Sequence, residues 1–244
     1  MKIFVTGFQR SGTTLMKELI QRHPDVEKMW HETGLLKRSK KDLYRTKILT
    51  DKTTRKEREE DKTLGRTRKI NIDFSLRNSN WGEKIPYRNY IIKKGVHISI
   101  TEYCRRWNSY FLPDACIINI IRHPIDMGLS TKKIGYTKGI VKPINEFKNI
   151  GPKVINELRE IPNILHVKYE DLLLKPMRTL RKIFRFCKLD ASDKTIRKVI
   201  SGNYINSSRA FTYKKQKVNI ERLQLNKLIK FLNQIEGVKY NLRK

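Results

Sequence analysis

Arg10, Ser11, Thr13 and Thr14 form a row of cationic and hydroxyl side chains broken only by Gly12, and Gly7 lies five positions before that glycine. Glycines at this spacing let a turn close with its peptide N–H groups facing inward, a geometry suited to phosphate or sulfate. The flanking residues of Lys2–Ile20 (KIFVTGFQRSGTTLMKELI) supply the rest of a cradle. Ile3, Phe4 and Val5 make an apolar run before the turn, and Leu15, Met16, Leu19 and Ile20 recur at helical spacing after it. A helix starting at Thr13 adds its partial positive charge to the same spot. The glycine spacing is that of a Walker A loop, but Thr13 stands where that loop carries the lysine that reaches the β- and γ-phosphates. Arg10, earlier in the turn, is the cation on offer, and a guanidinium among hydroxyls and amides holds an anion without metal.

A second cation closes the continuous apolar run Ala115–Ile121 (ACIINII), which reads as a strand buried on both faces. Arg122 follows it, where a Mg²⁺-dependent P-loop enzyme would be expected to carry aspartate. Pro124 suits the first turn of a helix over Pro124–Lys133, which returns Ser130 to Arg122's side. Arginine and hydroxyl converging at a strand end make another anion site. Two such sites, with no carboxylate pair for a metal, point to a ligand bearing two separated phosphates. Glu32, after Val26–His31, is the first carboxylate placed to fold back towards the loop. Lys84 sits just before Pro86, where the strand-like stretch Asn80–Asn89 halts.

The elements that must position these residues alternate between strand and helix. A possible strand at Val26–Thr33 leads into a helical stretch near Leu35, and a helical segment is expected from Tyr87, then another around Ser99–Phe111. Asn163–Tyr169 reads as a strand, followed by helix at Glu170–Leu172, after Pro176 and over Asp193–Ile200. Ser201–Lys217 is irregular, and Ile220–Ile235 is an amphipathic helix. The order predicts an α/β fold, a three-layer α/β/α arrangement on a central parallel sheet, as a single domain spanning 1–244. The charged stretch 37–69 reads as an exposed excursion from it.

At 244 residues, 38% hydrophobic and 9% aromatic, the chain suits one sizeable core. Its 54 Lys and Arg against 24 Asp and Glu give +30, a field that draws in anions: phosphorylated cofactors, acidic glycans or peptides, nucleic acid. Cys104, Cys116 and Cys187 lack framework spacing and read as buried, reduced thiols in a cytoplasmic setting. The five histidines are not spaced for metal. No apolar stretch approaches membrane-spanning length, the N-terminal run is broken by Thr6, Gln9 and Arg10, and no secretory signal or anchor is expected.

GFQRSGTTLMKELIQRHPDV resembles the 5′-phosphosulfate loop of sulfotransferases that use 3′-phosphoadenosine 5′-phosphosulfate (PAPS). IINIIRHPIDMGLS resembles their 3′-phosphate segment, and VKYEDLLLKP a later block of the same group. The R-S-G-T-T form and the HPDV…HET continuation are nearest the tyrosylprotein and related Golgi-type or bacterial members. The resemblance implies that Arg10, Ser11, Gly12, Thr13 and Thr14 bind the 5′-phosphosulfate, and that Arg122 and Ser130 bind the 3′-phosphate. It makes Glu32, one residue further from the loop than in the family pattern, the general base. Lys84, in GEKIP, becomes the cation on the leaving phosphate, with Arg10 beside it, while Ser208 and Lys217 become tail contacts to the cofactor. The acceptor it implies is a hydroxyl on a glycan, a peptide tyrosine or a small alcohol. The chain is expected to depart from the Golgi enzymes in being shorter, without an anchor and without disulfide pairing.

Two other classes stay open at this point. An atypical P-loop kinase with a shifted cation would need Mg²⁺, against which Thr13 argues. A basic nucleic-acid-binding protein on a P-loop scaffold is kept alive by charge alone, since no RRM signature or zinc finger is present.

Overall fold

The structure is a computed structural model that describes residues 1–31, 48–50, 69–71, 79–87, 91–93, 96–202, 205–215, 225–235 and 238–240. Its centre is a five-stranded parallel sheet made of β1 (Lys2–Gly7), β2 (Val26–His31), β5 (Asn80–Lys84), β8 (Ala115–Ile121) and β9 (Ile164–Lys168), in the order β2-β5-β1-β8-β9. β1 and β8 are buried along their whole length, as strands covered on both faces must be. Alternate residues serve opposite faces. Phe4, Ala115, Ile117 and Ile121 join one core, and Ile3, Val5, Cys116, Ile118 and Ile120 join the other.

Helices cover both faces and complete the three layers. Ile3 and Val5 pack with α1 (Thr13–Gln21), α5 (Tyr169–Leu174), α6 (Pro176–Phe186) and α7 (Asp193–Ile200). Phe4 and Ile117 pack with α2 (Ile100–Phe111), α4 (Val141–Arg159) and α8 (Asn226–Leu232). This second core also gathers Trp30, Trp81 and Trp107, with ring centroids 5.1 and 5.8 Å apart along the series. Cys104, Cys116 and Cys187 are free and buried. Among the described residues no helix is long and apolar enough to cross a membrane.

Several expected elements shift. The helix expected from Tyr87 is replaced by an antiparallel pair, β6 (Ile91–Lys93) with β7 (Val96–Ile98). Ile91, Ile92, Val96 and Ile98 are β-branched and favour extended chain, and Gly95 between them weakens any helix. No element is anticipated between Lys133 and Asn163, yet α4 runs for 19 residues there with Pro152 inside it. Its apolar residues Ile144, Phe147, Ile155 and Leu158 do keep helical spacing. Within the charged stretch, β3 (Ile48–Thr50) pairs antiparallel with β4 (Lys69–Asn71), and the helix expected near Leu35 lies outside the described residues. Of the expected C-terminal helix, Asn226–Leu232 is helical, and residues 220–224 lie outside the described part.

Candidate functional site

The chain moves out on one side of β1 through β2 and β5, then crosses to the other side through β8 and β9. Strand order therefore reverses between β1 and β8, and the crevice beyond the carboxyl ends of two such strands is where open α/β sheets bind ligands. Residues from both strand ends meet at this crevice.

Beyond Gly7 the chain turns through Phe8–Gly12, closed by Ser11 N–H donating to the Phe8 carbonyl at 2.9 Å. A Cβ on Gly7 would come within 2.5 Å of both the Ile120 carbonyl oxygen and Ser11 Oγ. Gly12, at φ 103°, caps α1 without a side-chain hydrogen bond, and a Cβ there would collide with the Tyr169 ring. The first amides of α1 therefore face the turn with no side chain of the cap occupying them. Arg10 adopts a left-handed backbone at φ 72°, sparsely populated for a side chain that lacks a local reason to be there. Ser11 and Thr13 are buried, and Thr14 is exposed.

From β8, Arg122 reaches back to the same turn. Its Nη1 donates to the Arg10 carbonyl oxygen at 3.1 Å, and its guanidinium lies 4.5 Å from the Tyr169 ring centroid. Arg10 Nε in turn donates to Ser130 Oγ at 3.2 Å on α3 (Pro124–Lys133). The two anion corners read separately from the sequence thus form one continuous cluster of Arg10, Ser11, Arg122 and Ser130. Neither arginine is ion-paired with a carboxylate among the described residues. Burial, then the charge of Arg122, lowers the Arg10 pKa from its ordinary value. Ser11 Oγ and Arg122 Nε are buried without a hydrogen-bond partner, which is costly unless something anionic or hydrogen-bonding joins them.

Lys84 ends β5, buried, with its backbone beside Val5 and His31. The pairing continues past it through Ile85 N–H to Val5 O and Tyr87 N–H to Gly7 O, so this strand end lies against the base of the turn. Ser208 is exposed in a 3₁₀ turn, with both its N–H and Oγ bonded to Asn206 Oδ1. Glu32 and Lys217 lie outside the described residues.

Residues outside the site read from the sequence stand behind the cluster. Tyr169 fills the space between Gly12 and Arg122, and burial raises its pKa. Glu170, fully buried, accepts from His123 N–H at 2.9 Å and from the Tyr240 hydroxyl at 3.0 Å. The ring of His123 stacks on Tyr213 at 4.1 Å, and burial drives its pKa down to about 3. The Y-E-D block was the available signal for Tyr169 and Glu170. Nothing local announces Tyr240, seventy positions from its partner.

Chemically, the cluster can grip a dianion or two linked anions through guanidinium forks, hydroxyls and peptide N–H groups. A family model described as "Sulfotransferase family" matches residues 2–193. Among solved structures, the sulfotransferase domain from the curacin biosynthetic pathway superposes with a TM-score of 0.58 at 16% identity, covering 93% of this chain and 96% of that one. Retinol dehydratase in complex with retinol and PAP gives 0.53 at 16% identity, over 98% of this chain and 83% of that one. Sulfotransferase STF9 from Mycobacterium avium gives 0.50 at 12% identity, over 96% and 76%. At these identities the likeness is one of fold. No curated protein is matched.

Proposed function

The chain belongs to the sulfotransferase family, and we propose that it moves a sulfuryl group from PAPS to an acceptor hydroxyl. The observation that carries the donor assignment is the pair of neighbouring arginines at the switch point, neither ion-paired with a carboxylate among the described residues, with an unpartnered Arg122 Nε and Ser11 Oγ beside them. The residues present fit a doubly phosphorylated nucleoside: two guanidiniums, Ser11 and Ser130 hydroxyls, and a turn whose glycines let Ile120, Ser11 and the Tyr169 ring pack close against its backbone.

When bound, PAPS supplies the sulfuryl group on an anhydride whose leaving half is adenosine 3′,5′-bisphosphate. Arg10, Ser11, Gly12, Thr13 and Thr14 hold the 5′ end through loop amides and hydroxyls, and Arg122 with Ser130 holds the 3′-phosphate. Arg10, bonded to Ser130, ties the two ends together. Lys84 and Arg10 would set positive charge beside the leaving phosphate of bound PAPS, an electrostatic contribution in place before reaction. Glu32 would accept the proton of the acceptor hydroxyl. Ser208 and Lys217 keep the tail roles that the resemblance implies, with Ser208 already capped by Asn206. The net charge of +30 supports an acidic glycan or peptide as the acceptor carrier, and the three free buried thiols support a reducing, cytoplasmic setting.

Calorimetry and thermal shift with adenosine 3′,5′-bisphosphate and with ATP–Mg²⁺ test the donor assignment. Binding of the bisphosphate in the presence of chelator, with labelled sulfate passing from PAPS to an acceptor, is the expected result. Stabilisation by ATP–Mg²⁺ alone would return the chain to the kinase reading.

A further inference from the structure

Arg122 is braced from behind on both sides. His123 N–H, the next peptide group, donates to Glu170 Oε1 at 2.9 Å. The Tyr240 hydroxyl lies 3.0 Å from Glu170 Oε2 and 3.2 Å from the carbonyl oxygen of Ile121, the residue before Arg122. A tyrosine hydroxyl has one proton, which goes either to Glu170 or to Ile121. With Glu170 ionised, the carboxylate takes it. With Glu170 neutral, the carboxyl O–H donates to the Tyr240 oxygen and frees the tyrosine proton for the Ile121 carbonyl.

Resting on the reading of Arg122 as a phosphate holder, we propose that Glu170 is a positioning residue that couples a proton to that grip: the protein takes up a proton at Glu170 when adenosine 3′,5′-bisphosphate binds. The geometry supplies the reason. An ionised Glu170 behind Arg122 competes with the incoming phosphate for the same guanidinium field, and a neutral one does not. By linkage, an anion on Arg122 makes Glu170 harder to ionise, so the neutral form binds more tightly.

Charged and titratable groups face Glu170 from every element packed against it. Arg122 and His123 face it from the end of β8, and Asp126 on α3, which accepts from Tyr213 N–H at 2.7 Å, shares Arg122, Tyr169 and Tyr213 with it as neighbours. Tyr169 and Asp171 flank it on α5, with Lys168 just before them. Tyr213 and Lys214 approach from the 3₁₀ turn Thr212–Lys215, and Tyr240 from the C-terminal segment. His123 is held neutral, and burial raises Tyr169, Tyr213 and Tyr240 above their ordinary values. Burial lifts Glu170 itself to about 7, against the hydrogen bonds from His123 and Tyr240 and the charge of Arg122.

The test is calorimetry of adenosine 3′,5′-bisphosphate binding in buffers of different ionisation enthalpy, on the full chain and on Glu170→Gln. Glutamine keeps an acceptor for His123 and a donor for Tyr240 but cannot titrate. Measurements run from about pH 6.5 to about pH 8.5, above the phosphate's own second pKa, and the ligand's residual titration is common to both proteins. Proton uptake near pH 7 by the wild type, absent from Glu170→Gln, is expected. It should come with an affinity that weakens roughly three- to tenfold across the range in the wild type and stays flatter in the variant, one unit of pKa displacement being tenfold. Equal proton uptake in the two proteins overturns the coupling while leaving the donor assignment standing. No binding by the wild type overturns both. If Glu170→Gln shows no cooperative melt, Tyr240→Phe takes its place. Losing a hydrogen bond that favours the ionised carboxylate should move the midpoint of the affinity profile to higher pH, and an unmoved midpoint overturns the coupling.

Discussion

Arg122 is buried and close enough to Arg10 that, after burial, its charge lowers the Arg10 pKa, and neither is ion-paired with a carboxylate among the described residues, an arrangement that costs the folded protein stability. The Arg10–Arg122 contact therefore predicts a trade at the residue scale. Arg122→Ala should leave the melting temperature unchanged or raised while weakening bisphosphate binding on the order of 100-fold, about 3 kcal/mol for charge-assisted hydrogen bonds. Calorimetry and a thermal melt on the same sample check both halves, and a large fall in melting temperature would make Arg122 a structural residue instead. Arg122→Lys should behave more like alanine than like arginine, because a point charge reproduces neither the fork to the Arg10 carbonyl nor the face-on contact with Tyr169. For the proton-accepting role, Glu32→Gln should lower kcat by roughly 10²- to 10⁴-fold and leave bisphosphate affinity within about twofold. A matching loss of affinity would remove Glu32 from that role.

At the scale of elements, the end of β8 concentrates groups whose ionisation differs between folded and unfolded chain. His123 is depressed to about 3 and His166 to about 4 by burial, so both contribute stability that is complete above an ordinary histidine pKa of 6.5 and is lost as pH falls through 4 and 3. Glu170 has the opposite sign. Raised to about 7 from 4.5, it begins to destabilise as pH rises past 4.5, and its cost is complete above 7. His123→Phe, which keeps a ring on Tyr213, should flatten the acid side of a plot of melting temperature against pH and leave the limb above neutrality unchanged. Loss of stability at every pH would show instead that the ring's packing, not its titration, mattered. These elements were legible to different degrees for physical reasons. β8 and α3 announce themselves, one by an unbroken apolar run and the other by a proline in its first turn. Gly151 and Pro152 interrupt α4 and mask its period. The strand pair at Ile91–Ile98 turns on β-branching that a helical reading overlooks. Arg10, Ser11, Arg122 and Ser130 were readable one by one, because each sits in a local motif. Their merging into a single cluster, and the brace from Tyr240, are tertiary contacts between segments more than 65 positions apart that carry no local pattern.

Taken whole, the molecule is a strongly positive body with its anion grip beyond the carboxyl ends of two inner strands, β1 and β8. On α6, Arg178, Lys182 and Arg185 are exposed and fall at the spacing of one helix face, so the charge is presented in stripes as well as in bulk. If the acceptor is an acidic polymer, kcat/KM for it should fall steeply with added salt as the Debye length shrinks to about 8 Å near physiological ionic strength, while turnover of a neutral alcohol changes little. Equal salt sensitivity for both would dissociate the surface charge from acceptor choice. We further propose that the chain folds as one domain, and the gathering of Trp30, Trp81 and Trp107 offers the means to examine it. All three indoles of the chain share one face of the sheet, so ultraviolet emission is a one-sided witness, blind to the layer built on α1, α5, α6 and α7. Denaturant curves followed by that light and by far-ultraviolet dichroism should superimpose if both layers let go together. An early loss of the optical signal would reveal a half that melts by itself.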